Sequence, residues 1–167
     1  MNRRFSPESL AVLSGLLLTL SFPPFDMFFA AWVAWLPLWA ALQQIGWQRG
    51  FKLGYITGFV FTLTSLNWIA NNSGTSFLIA ASSMMGTVAY LSLWFGLFGL
   101  IIARAGRNLG TKGLWLAPIF WVSIEFIYSY HGYTLAFPWL SLAMTQNFAL
   151  PIQQLAEYGG IYGVSFW

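Results

Sequence analysis

Leu53-Gly54-Tyr55-Ile56-Thr57-Gly58-Phe59-Val60-Phe61 opens a run of 51 residues, Leu53 to Ala103, that contains no Asp, Glu, Lys or Arg. A helix crossing the hydrocarbon core of a bilayer takes about 20 apolar residues at about 1.5 Å of rise each. The run is therefore long enough for two crossings and a turn. Asn71-Asn72-Ser73-Gly74 supplies the turn, and its formal glycosylation pattern is read as no more than that.

The neighbouring charge-free runs extend the reading in both directions. Ser9–Phe25 holds 17 residues and Met27–Gln48 holds 22, while Gly113–Ile124 continues past Glu125 into Phe126–Ala156. These lengths predict five spanning helices at about 9–22, 27–43, 51–69, 76–102 and 113–131, with a sixth starting at about 164. Residues 132–163 are left as a periplasmic interfacial segment. The expected fold is all-α: one transmembrane domain over residues 1–167, a polytopic helix bundle.

Composition excludes the main alternatives. The chain is 58% hydrophobic, 20% aromatic and 7% charged, against about 25% charged in an ordinary soluble domain. So few charges do not solvate the surface of an 18.8 kDa globule, and so much apolar content does not stay disordered. The absence of cysteine excludes a disulfide framework, a thiolate zinc site and a thiol nucleophile on these residues. No metal, cofactor or nucleic-acid partner is expected.

The placement of the charges gives the orientation. Arg3 and Arg4 precede the first helix, Arg49 and Lys52 separate the second from the third, and Arg104, Arg107 and Lys112 separate the fourth from the fifth. With five alternating helices, all seven basic residues fall on one side and Asp26 and Glu157 on the other. That is the positive-inside pattern with a cytoplasmic N-terminus. Ser21-Phe22-Pro23-Pro24 offers no small-x-small cleavage site, so the first helix reads as retained rather than as a signal peptide.

Within the spans, Gly54-x-x-x-Gly58 and Gly96-x-x-Gly99 predict close helix contacts. Trp32, Trp35, Trp39 and Trp47 read as interfacial anchors. Glu125 is the residue that most needs a reason, because a carboxylate within a span costs about 2.5–3.5 kcal/mol on insertion scales. Helical spacing puts Trp121, Glu125, Tyr128 and Gly132 on one face, with Tyr128 as the expected hydrogen-bond donor to Glu125. Asp26 is expected to cap the second helix. His131, the only histidine, reads as an exposed imidazole at the end of the fifth helix. Residues 131–163 are apolar yet broken by Pro138 and Pro151, which suits a segment lying in the interface or dipping back into the membrane. Pro151–Tyr158 is read as a short helix ended by Gly159.

Ser21-Phe22-Pro23-Pro24-Phe25-Asp26, Trp121-Val122-Ser123-Ile124-Glu125-Phe126 and Phe137-Pro138-Trp139-Leu140 resemble, in order, three segments of bacterial apolipoprotein N-acyltransferases. Gln146, Gln154-Leu155-Ala156 and Gly160-Ile161-Tyr162-Gly163-Val164-Ser165-Phe166 follow in the family's order, so the resemblance covers essentially the whole chain. Two positions depart from the pattern. Ala136 stands for a glycine, and Tyr128 stands where many family members carry an arginine.

The resemblance implies an inner-membrane enzyme that moves an acyl chain from a phospholipid to the N-terminal diacylglyceryl-cysteine of a lipoprotein. It implies ping-pong chemistry through a thioester, on a Glu–Lys–Cys triad in a nitrilase-like domain outside the membrane. This chain holds no cysteine, and its lysines are Lys52 and Lys112, so no catalytic residue is expected in it. The expectation is the N-terminal membrane part alone, inactive by itself, which anchors the enzyme and admits lipid. Phospholipid donor and lipoprotein would then be partners through the missing domain, membrane lipids would surround the chain, and a separate catalytic chain is a possible partner. Phe137, Pro138, Trp139 and Gln146 are the expected lipid path, with Glu125 and Tyr128 as an intramembrane polar site. The alternative is a non-catalytic membrane scaffold for a polyprenol-phosphate glycosyltransferase. A small transporter ranks lower, because residues 9–69 and 76–131 show no internal repeat.

Overall fold

The structure, a computed structural model, describes residues 5–43, 46–130 and 136–167. Among these residues every regular element is helical. They form α1 (Pro7–Ser21), α2 (Phe28–Val33), α3 (Trp35–Gln43), α4 (Gly50–Ser65), α5 (Phe77–Leu109), α6 (Ala117–Tyr130), α7 (Leu150–Gln153) and α8 (Ala156–Phe166). Short 3₁₀ turns join several of them. Two helical stretches, Trp47–Asn71 and Phe77–Tyr130, are long and apolar enough to cross a membrane, and Pro7–Ser21 and Phe28–Gln43 are shorter apolar helices.

Several helix ends have a local cause. Ser6 caps α1 by accepting the Ser9 N–H at 3.1 Å, and Pro7 occupies the first turn, where its missing N–H costs nothing. The helix expected over 27–43 is interrupted at Ala34. Pro37 has no N–H to offer the Val33 carbonyl and its ring crowds that turn, and at the break the Ser14 hydroxyl donates to the Ala34 carbonyl. The fold-back at Asn72–Gly74 is where the sequence put it, closed by the Gly74 N–H on the Asn72 side chain at 2.9 Å. The fourth expected helix runs on to Leu109, beyond 102, and 3₁₀ geometry over Gly110–Leu116 replaces the start of the fifth.

Three expectations are corrected. Asp26 does not cap α2. It takes a positive φ of 51°, its carbonyl accepts the Phe28 N–H at 2.9 Å, and Met27 occupies the cap position. The short helix expected over Pro151–Tyr158 is divided, with α7 ending at Gln153 and α8 opening at Ala156, and α8 is itself two helical pieces, the second following Gly160. The break falls at Gly160, not Gly159, because Gly160 holds a backbone conformation (φ 60°, ψ −162°) that essentially only glycine adopts.

Close packing of α4 on α5 forms the centre of the bundle. The two glycine pairs read from the sequence lie at this contact. A Cβ on Gly54 would collide with the Phe95 carbonyl, and one on Gly99 with the Gly50 carbonyl. Small residues let the two backbones touch, which is how helices associate where no water drives them together. On the other side of α4, α1 approaches closely enough that the Thr57 hydroxyl donates to the Ala11 carbonyl at 3.0 Å and Thr19 and Thr64 share a hydrogen bond of 2.6 Å.

An aromatic core joins the remaining helices. Trp35 of α3 lies 4.6 Å from Trp121 of α6 and 4.9 Å from Phe98 of α5, and Phe95 lies 4.9 Å from Trp121. Trp35 is therefore partly buried and packed against the core. Phe22 and Phe61 continue the cluster towards α1 and α4.

Candidate functional site

Trp121 and Glu125 stand one turn apart on α6, and the aromatic core fixes the Trp121 ring. Its indole N–H therefore points up the helix and donates to the Glu125 carboxylate at 3.1 Å. The carboxylate is fully buried. The Leu142 backbone N–H donates to the same oxygen, Oε1, at 2.6 Å, and the Ser141 hydroxyl donates to Oε2 at 3.2 Å. Ser165 of α8 also reaches the carboxylate. Its hydroxyl lies 3.0 Å from that of Ser141 and accepts the Ala143 N–H at 3.0 Å. No basic side chain pairs with Glu125 among the described residues. The group is surrounded by donors, which suits an acceptor-only side chain.

The arrangement holds an irregular stretch against α6. The Phe137 N–H donates to the Tyr128 carbonyl at 3.0 Å, the Tyr128 hydroxyl donates to the Leu140 carbonyl at 3.2 Å, and Leu142 meets Glu125. Residues 137–142 thus run back down the face of α6, antiparallel to it. Buried backbone polar groups outside an α-helix need protein partners, and Tyr128 and Glu125 supply them for the Leu140 carbonyl and the Leu142 N–H. The expected Tyr128 to Glu125 hydrogen bond is replaced by this division of labour: Tyr128 takes Leu140 and Glu125 takes Leu142.

Beyond Leu142 the stretch reaches a cavity of about 280 Å³. Its walls are mainly apolar, with Trp32, Trp35, Phe98, Trp121 and Val164 among them, and its polar lining includes Thr145, Gln146 and Ser165. Gln146 is buried and fixed at both ends of its amide. Its Nε2 donates to the Phe28 carbonyl at 3.2 Å, and its Oε1 accepts the Trp32 indole N–H at 3.3 Å.

Of the four residues expected to form a lipid path, Gln146 lines this cavity and Phe137, Pro138 and Trp139 do not. Phe137 is half-buried, and Pro138 and Trp139 are exposed. Trp139 is 60% exposed, and it stacks on the half-exposed Trp68 at 6.0 Å and contacts Phe137 at 5.7 Å. His131 and Gly132 lie outside the described residues. Sequence reasoning missed Ser141 and Ser165, since nothing in their local pattern separates them from other serines. Trp121 was legible, because it lies four residues before Glu125 on one helix.

No group of three or more potential metal-ligating side chains occurs among the described residues.

Comparison with known proteins places these features in a lineage. Residues 14–167 match the family described as Apolipoprotein N-acyltransferase N-terminal domain. The Apolipoprotein N-acyltransferase of Geobacter metallireducens is 34% identical over 161 residues, covering 94% of this chain and 30% of that protein. Those of Pasteurella multocida and Chlorobaculum tepidum are 26% and 28% identical, covering 100% and 96% of this chain and 32% and 30% of the relatives. The chain thus spans about a third of the length of the curated relatives it matches.

Proposed function

The chain belongs to the apolipoprotein N-acyltransferase family through that family's N-terminal domain, and from this premise we propose that it is the membrane part of a phospholipid-dependent lipoprotein N-acyltransferase. In this role it crosses the bacterial inner membrane five times with its N-terminus in the cytoplasm. It anchors the enzyme and gives two-tailed substrates a lateral route from the bilayer. The acyl donor is a phospholipid and the acceptor is the amino group of a diacylglyceryl-modified lipoprotein cysteine.

The observation that carries the reading is the descent of residues 137–142 along α6 onto the Glu125 carboxylate. The same stretch carries an exposed aromatic pair, Trp139 on Trp68, at one end and reaches a mainly apolar cavity lined by Gln146 at the other. Aromatic rings at a bilayer interface and an apolar recess beside them suit acyl chains. The outward faces agree: Leu13 and Leu16 of α1, Phe77 and Leu78 of α5, and Ile119 and Phe126 of α6 are all exposed. In the family's chemistry a cysteine thiolate forms the acyl thioester. These 167 residues contain no cysteine, so their share of the reaction is to place lipid, not to form that bond.

Two experiments test this. The lack of cysteine gives a labelling experiment without background. Asn72→Cys should react with an impermeant maleimide in intact spheroplasts, and Asn108→Cys should react only after lysis. The reverse pattern rejects the orientation. For the activity, this chain should replace the matching segment of the Geobacter metallireducens relative and be assayed for acyl transfer to a diacylated lipopeptide. Turnover well above that of a fusion to an unrelated helix bundle is expected. A membrane-inserted fusion without turnover rejects the role, and turnover by this chain alone rejects the assignment of chemistry to other residues.

A further inference from the structure

The end of the bundle opposite Trp139 carries an arrangement that the acyltransfer reading does not use. There α5 ends beside the start of α4, and the Arg104 and Arg107 guanidinium carbons lie 4.9 and 5.4 Å from the centroid of one ring, that of Trp47. One guanidinium over an indole is an ordinary cation–π contact. Two on the same indole keep like charges close, and a nearby anion offsets their repulsion.

The chain itself supplies none. It has four acidic residues. Glu8 is paired with Lys52 at 3.1 Å, Glu125 is buried against Leu142, and Asp26 and Glu157 belong to other parts of the bundle. Among the described residues Glu8–Lys52 is the single salt bridge, so neither arginine has a carboxylate partner. The carbonyls at the α5 C-terminus offer only about half a charge.

A cavity of about 420 Å³ is lined by Trp47 and Arg107, and Arg104 stands outside its lining on the same indole. Arg107, Gln43 and Thr111 give it cationic and hydrogen-bonding groups, and Trp47, Leu42 and Ile102 give it apolar walls. Gly106 lines it too, and a side chain there would meet nothing within 4 Å. A guanidinium beside apolar walls, with a second on the same indole, at the end of two membrane-length helices, matches an amphiphile with a negative head. Guanidinium groups suit phosphate in particular, because their planar fork donates to two oxygens at once.

We propose that the cavity between Trp47 and the end of α5 binds the phosphate headgroup of an anionic membrane lipid. The proposal rests on the reading that α4 and α5 cross the membrane. It concerns the opposite face from the acyl-donor route and needs no acyl transfer.

The test uses the full chain purified in mild detergent and native mass spectrometry with phosphatidylglycerol and phosphatidylcholine at equal concentration. Two surface cations bias anionic lipid by about tenfold or more, so roughly that preference for phosphatidylglycerol is expected, falling as salt rises. Arg104→Gln with Arg107→Gln should bring the preference near parity. Gly106→Leu should lower it with every charge intact, filling the cavity on a helix that gains propensity. Lys52→Gln, which touches a cation already paired, should leave it unchanged.

Equal binding of the two lipids by the native chain overturns the proposal, as does full preference in the double variant. Displacement of the lipid by millimolar inorganic phosphate assigns the site to a soluble anion and also overturns it. A carbonate wash of the membranes checks the spanning reading separately. Release of the chain there rejects the spans, whereas a chain that stays in the membrane without lipid preference rejects only the site.

Discussion

The Glu125 carboxylate accepts the Leu142 backbone N–H at 2.6 Å, joining α6 to a segment seventeen residues further along the chain. Trp121, Ser141 and Ser165 converge on the same group, so one side chain holds the irregular stretch and α8 together. Removing it leaves buried donors without an acceptor, at about 1–3 kcal/mol for each one stranded. Glu125→Ala should therefore be among the most destabilising single changes in α6, by about 3 kcal/mol or more. Glu125→Gln keeps an oxygen for Leu142 and Trp121 and presents its amide to Ser141, whose hydroxyl can turn to accept, so its loss should be smaller. Thermal unfolding in detergent ranks the two, and equal losses would reject the donor-cage reading.

Tyr128 holds the neighbouring part of the same stretch through the Leu140 carbonyl. Tyr128→Phe removes that bond and keeps the ring, so a loss of about 0.5–1.5 kcal/mol is expected. Hydrogen exchange should rise at residues 137–142 and stay unchanged in α4. An effect spread over the whole bundle would assign Tyr128 to core packing instead.

The α4–α5 contact predicts opposite outcomes for two glycines. Gly54→Ala drives a methyl into the Phe95 carbonyl and should cost about 1–3 kcal/mol as the helices part. Gly86→Ala lies on the exposed face of α5 with nothing within 4 Å, and should be neutral or gain up to about 1 kcal/mol from helix propensity. Melting temperatures of the two variants decide it. A loss at Gly86 equal to that at Gly54 would mean that the contact is not the cause.

At the kink in α8, Gly159 and Gly160 both have open space around them. Only Gly160 has the positive φ, so the difference between them is purely one of backbone. Gly160→Ala should cost about 1–3 kcal/mol, while Gly159→Ala should be tolerated. Comparable losses at both sites would count against the kink.

Trp139 contributes mostly exposed surface, stacked on Trp68. In the chimaera with the Geobacter metallireducens relative, Trp139→Ala should reduce acyl transfer several-fold with little change in unfolding temperature. Unchanged transfer at normal expression would remove the aromatic pair from the lipid route.

Hydrophobic length and the spacing of charges made the helices legible, because a chain this apolar must satisfy its backbone internally and the helix does so locally. The hairpin at Asn72 and the glycine pairs on α4 and α5 follow from residues adjacent in sequence or at helical spacing. The partners of Glu125 do not. Ser141 and Ser165 are ordinary in sequence and acquire their role only when the chain reverses along α6. Trp35 and Trp47 lie on the same stretch of sequence, yet one enters the aromatic core and the other meets Arg104 and Arg107. Local pattern fixes which face of a helix is apolar; what that face meets depends on how separate helices dock, a long-range choice that only the packed bundle makes.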